Sequence, residues 1–147
     1  MNTLITNYFD AETAIIGRIR AQVPELKDVL SPFSVGDMVE ASQPSPAVHV
    51  IYGGDNVTGN EAGNGARRII DQRWLIMLAV RTPKAQLQNT TEIRILAGEL
   101  IPKIINALQG WAPTEWMRPL VRVNGPSAGY SSSFAYFPFM FEGRILT

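Results

Sequence analysis

Seven consecutive residues, Trp74-Leu-Ile-Met-Leu-Ala-Val80, carry no charged side chain and no polar one beyond the Trp74 indole. Across the run Arg68 to Thr82, an extended chain puts Trp74, Ile76, Leu78 and Val80 on one side and Leu75, Met77 and Ala79 on the other. A strand apolar on both faces reads as a central or doubly covered strand. The rest of the chain must supply strands to flank it and helices to cover it.

Two helices are predicted. The first runs from about Ala11 to Val23, with Asp10 as N-cap and Glu12 adding negative charge in the first turn. Ile15, Ile19 and Val23 recur at four-residue spacing, and Pro24 ends the helix. The second runs from about Thr91 to Gln109, capped by Thr90 or Asn89 and stopped by Gly110. Its core stripe is Ile93, Ala97, Leu100, Ile101, Ile104 and Leu108. Pro102 lies inside it, at a cost of about 3 kcal/mol unless the helix bends, and the bend is expected between Gly98 and Pro102.

Three further strands are read beside the central one. Ala47 to Tyr52 follows Pro44 and Pro46, with Val48, Val50 and Tyr52 on one face. Leu120 to Asn124 alternates, and Phe134 to Arg144 puts Ala135, Phe137, Phe139 and Phe141 on one side. Pro138 in the middle of that last strand implies an edge or a bulge. Gly53 to Gly65 holds five glycines and three asparagines in thirteen residues, the composition of a mobile loop joining two antiparallel strands. Glu25 to Ser31 reads as a connection, and Gly125 to Ser133 as a loop. With no strict βαβ alternation, the expected fold is α+β: an antiparallel or mixed sheet of four to five strands, both long helices packed on one face, in one domain over 1–147.

Several chemistries are excluded or unsupported. The chain has no cysteine, so disulfides and thiolate nucleophiles are absent, and its single histidine, His49, cannot build a multi-histidine metal site. It carries no Gly-x-Ser-x-Gly elbow, and the Gly53–Gly65 stretch lacks the Gly-Lys-Ser/Thr ending of a phosphate loop. Asp37 with Glu40, and Asp10 with Glu12, read as helix-end or solvated charge rather than a catalytic pair. No catalytic residue, metal or cofactor is therefore expected. Thirteen basic and thirteen acidic side chains leave net charge zero, which favours association and disfavours nucleic-acid binding. Neither a signal peptide over Met1 to Asp10 nor an apolar run of 18 residues is present, so no membrane role is expected.

What remains is surface. Arg67, Arg68 and Arg73 form a basic cluster at the base of the glycine-rich loop, with Asp71 among them to offset part of the charge. Trp111 and Trp116 follow a helix end and suit either a core plug or an interface anchor. Phe137 and Phe139 belong to an aromatic strand richer than one sheet face needs, suited to pairing with a partner. With Gly54, Asn56, Asn60 and Asn64 of the loop, these are the candidate subunit-interface residues.

A pattern of elements ties these pieces together. A helix Glu12-Thr-Ala-Ile-Ile-Gly-Arg-Ile-Arg20 opens the chain, and a strand Pro46-Ala-Val-His-Val-Ile-Tyr52 runs into the glycine-rich segment. A long Trp-containing strand follows, then a helix ending Ala107-Leu-Gln-Gly-Trp111 and an aromatic strand Tyr136-Phe-Pro-Phe-Met-Phe-Glu142. The chain resembles the tail terminator proteins of long-tailed bacteriophages, particularly the Mu-like family and more distantly the lambda U protein. The resemblance implies a homo-oligomeric ring, usually of six copies, on the head-proximal end of the tail tube. Such a ring stops tube polymerisation, meets the head-tail connector protein and lets genomic DNA pass through its lumen without sequence-specific binding. It implies a place in the tail or neck of the virion, with assembly in the host cytoplasm. Two other readings stand beside it: another small neck or tail-completion protein, and a small-molecule-binding α+β domain or enzyme using Arg122, Tyr130 and Tyr136 around a pocket.

Overall fold

The computed structural model describes residues 5–32, 43–60, 68–81, 91–131 and 133–146. Helix α1 (Asp10–Gln22) leads to a short strand β1 (Asp28–Leu30). Strands β2 (Ala47–Asn60) and β3 (Arg68–Arg81) are followed by helix α2 (Thr91–Leu108), and β4 (Val121–Val123), β5 (Gly129–Tyr130) and β6 (Phe134–Leu146) close the chain. The strands form one mixed sheet in the order β1-β2-β3-β6-β4, with β5 also paired to β6. Among the described residues, the β1–β2 pair is parallel and the other ladders are antiparallel.

The doubly apolar strand is central, one of the two places its composition allows. β3 is flanked by β2 and β6 and is buried from Ile70 to Val80 apart from a half-buried Arg73. Register sets Val48 against Leu78 and Val50 against Ile76, while Leu78 meets Phe137, Ile76 meets Phe139 and Trp74 meets Phe141. These residues share one face. They join a single core with Ala11, Ile15 and Ile19 of α1 and Ile93, Ala97, Leu100, Ile104 and Leu108 of α2. The opposite face carries a smaller apolar cluster, Ile51, Leu75 and Met77, with Tyr136 and Met140 beside it.

Among the described residues the sheet has six strands rather than the four to five expected, because β1 and β5 are too short to leave a periodic signature. Asp10 is the first residue of α1 rather than its cap; Phe9 holds the cap position without a side-chain cap bond. The turn before it is closed instead by Asn7, whose Oδ1 accepts from the Phe9 N–H at 3.0 Å. α2 is a continuous helix with Pro102 on an exposed position, and Gly110, at φ 78°, ends it as expected. The Gly110 N–H then donates to the Leu120 carbonyl at 2.9 Å, which ties the helix end to the start of β4.

The largest correction concerns Gly53–Gly65. Gly53 to Asn60 is strand, not loop: β2 continues to Asn60 and stays paired with β3 down to Arg68. Two register shifts, at Tyr52/Asp55 and Val57/Gly59, let a glycine-rich strand follow its partner. Gly54 sits in the first with φ 88°, a conformation that favours glycine. The remainder of the segment, 61–67, lies outside the described residues. β6 is likewise no bare edge, since β3 runs along one side of it and β4 and β5 pair with parts of the other. Pro138 needs no bulge: the β3–β6 register passes through it unbroken, and it falls in the gap between the β4 and β5 pairings, where a missing N–H costs nothing.

Candidate functional site

His49 is buried on the sheet face opposite the helices, next to Gln43. Its Nε2 is placed to donate to Gln43 Oε1, and Gln43 Nε2 donates in turn to the Tyr136 hydroxyl at 3.4 Å. Nδ1 has no hydrogen-bond partner among the described residues. Burial pushes the imidazole below its ordinary pKa, which favours the neutral form. Among the described residues no cluster of His, Asp and Glu could hold a metal ion. Arg122, Tyr130 and Tyr136 do not share a pocket. Tyr130 stands opposite Ala135 and beside Phe137, on the helix side, whereas Tyr136 points to the other face. Arg122 belongs to a separate open groove of about 410 Å³ lined with Gly125, Pro126, Pro138 and Met140.

The glycine-rich part of β2 is anchored from beneath by the segment that precedes α1. Gln72 of β3 is fully buried; its Nε2 donates to the Tyr8 carbonyl at 2.8 Å and its Oε1 accepts from the Trp74 indole at 3.0 Å. The Tyr8 hydroxyl donates to Asp55 at 2.6 Å, and burial together with the Asp55 carboxylate raises the Tyr8 phenol above its ordinary range. Edge-on ring contacts link Tyr8 to Phe9 and Phe9 to Tyr52, and Tyr52 leans on Trp74. The part of β2 beyond Tyr52 is therefore held both by β3 and by the segment before α1. Nothing in the local sequence announces the Tyr8–Asp55 contact, which joins residues 47 positions apart.

The predicted basic cluster is arranged differently. Arg67 and Asn64 lie outside the described residues, and nothing is described of the Asn60 side chain. Arg68 is exposed, but Arg73 bonds Glu142 of β6 at 3.0 Å. Asp71 does not serve these arginines: Arg144, its cross-strand partner, grips it with two bonds of 2.8 and 3.0 Å. Trp111, Trp116, Phe137 and Phe139 are all partly buried against the main core. Arg18 lies over the Trp111 ring at 5.2 Å and Arg122 over the Phe139 ring at 5.0 Å. Each of these aromatics gives one side to the core and leaves some surface free.

The open features are the two margins of the sheet. β1 pairs with β2 only at Ala47 to His49, and no other described strand lies on that side of β2. Along the uncovered stretch, Gly54 is half-buried and Asp55, Asn56, Val57 and Thr58 are exposed. At the far end, β4 has β6 on one side and no described strand on the other, and Val121 is 60% exposed. The β-branched pair Val57-Thr58 inside the glycine stretch is the one local signal that could have marked it as strand.

The described residues thus form an α+β subunit with no described strand along the far part of β2 or the outer side of β4. The chain belongs to the phage tail terminator protein family, whose model matches residues 5–147, nearly the whole length. No curated protein matches it in a sequence comparison. This is a structural protein family rather than an enzyme family, and membership places the protein in the tail of a bacteriophage virion, with a role in tail assembly alongside other tail components. Among the described residues, no helix is long and apolar enough to cross a membrane.

Proposed function

We infer that the protein forms a ring, of six copies, on the head-proximal end of the tail tube, where it ends tube polymerisation and joins the tail to the head connector. The observation that carries this reading is the family match across 5–147. The uncovered margins of β2 and β4 support it, since unpaired strand edges are stabilised by another chain. The partners are a sister copy, the tube protein and the connector protein, with the genome passing through the lumen unread. Residues 1–147 act as one domain, and assembly takes place in the host cytoplasm. Neighbour contacts run through the end of the β2–β3 pair beyond Tyr52 and the segment that joins them, with Gly54, Asn56, Asn60, Asn64, Arg67 and Arg68. The free sides of Trp111, Trp116, Phe137 and Phe139 form a second contact area.

Electron microscopy of tails made with and without this protein is the test. Its loss is expected to give tubes of uncontrolled length that carry no head. Tubes of uniform native length that fail only in head attachment would instead assign the protein to the neck.

A further inference from the structure

We propose that neighbouring copies join edge to edge, with β4 of one copy adding to the uncovered margin of β2 in the next, so that Arg122 faces Asp55 across the junction. The proposal rests on the ring reading above and names the surface that would build it.

Strand directions allow it. β2 runs antiparallel to β3, β3 to β6 and β6 to β4, so β4 runs opposite to β2. A second copy that continues the sheet past β2 therefore presents β4 in antiparallel orientation, without turning the sheet over. The margin is open where it is needed, because β1 stops at the level of His49 and the stretch beyond Tyr52 has no described neighbour on that side. The two edges differ and sit at opposite ends of one sheet, so the contact is heterologous, the kind that closes into a ring.

Side-chain chemistry matches as well. Asp55 stands opposite Gln72 in register, on the face that carries Trp74, and Arg122 stands opposite Phe141 on that same face. Placing Arg122 across from Asp55 brings an exposed guanidinium to an exposed carboxylate. It also sets Val121 across from Asn56 on the other face. The Tyr8 hydroxyl already holds Asp55 in place, and the Phe139 ring holds Arg122, so both charges are oriented before they meet. The junction covers Val121, one of the most exposed apolar side chains described, at 60%, on the face away from the helices.

The chain has no cysteine of its own, which makes covalent trapping clean. Tails carrying the double variant Asn56→Cys/Val121→Cys, treated with a mild oxidant, should yield a ladder of covalent multimers, whereas either single variant should not. Separately, Asp55→Arg or Arg122→Asp should weaken assembly roughly tenfold by setting like charges together, and the double reversal Asp55→Arg/Arg122→Asp should restore it. Intact rings on tails of normal length, with no covalent ladder and no rescue by the double reversal, overturn the edge pairing and leave the ring reading standing. Tails on which wild-type protein forms no ring overturn both.

Discussion

At the scale of single residues, two positions have outcomes set by their surroundings. His49 is the only imidazole, and burial holds its folded-state pKa below the ordinary 6.5. The unfolded chain therefore takes up the proton first as pH falls. His49 contributes its full stability above about pH 7, and that contribution is lost from about pH 6.5 downward, until the folded form protonates too. Urea unfolding at a series of pH values should show this slope between pH 7 and 5.5, and His49→Gln should flatten it; equal slopes in the two proteins would refute the assignment. Gly143 is the second case. A Cβ there would lie 2.3 Å from Met117 Sδ and 3.1 Å from Leu120 Cδ2, and both of those side chains are buried. Gly143→Ala should cost about 1–3 kcal/mol, because two packed side chains have to move. Met117→Ala in the same chain should recover part of the clash while leaving its own cavity, a non-additivity that thermal or urea unfolding can read.

The elements show which information was local. β3 was readable as central because seven apolar residues in a row leave no solvent face, and α2 because its apolar stripe and Gly110 stop are complete within the segment. The continuation of β2 was not readable, since glycine and asparagine argue for a loop and only pairing with β3 turns Gly53–Asn60 into strand. β1 and β5, at three and two residues, owe their existence to the partner strand. The candidate site divides in the same way: Gly54, Asn56 and Arg68 could be picked from composition, but Asp55, Val57 and Val121 acquire meaning only from sheet order. α2 also carries a prediction. Gly98 is exposed in mid-helix, and a Cβ added there would meet nothing within 4 Å. Gly98→Ala should stabilise the fold by about 0.5–1 kcal/mol through helix propensity. Were the residue needed to absorb backbone strain from Pro102, four positions on, the same substitution would instead lower the melting temperature.

At the scale of the whole molecule, the charge balance bears on how copies find one another. With thirteen positive and thirteen negative side chains the net charge is zero, so two copies approaching in solution feel no net long-range repulsion or attraction. Asp71–Arg144 and Arg73–Glu142, both with partly buried carboxylates, are paired within the sheet. Association between copies should then proceed at an unsteered rate, on the order of 10⁵–10⁶ M⁻¹s⁻¹. The Asp55–Arg122 contact acts only once the edges have met, within a Debye length of about 10 Å at 0.1 M salt. Raising salt from 0.05 to 0.5 M should therefore change the association rate by less than about threefold, while dissociation quickens modestly as the exposed pair is screened. Stopped-flow mixing of labelled subunits separates the two rates. A steep fall of the association rate with salt would mean that an uneven charge distribution, rather than backbone pairing at the sheet margins, brings the subunits together.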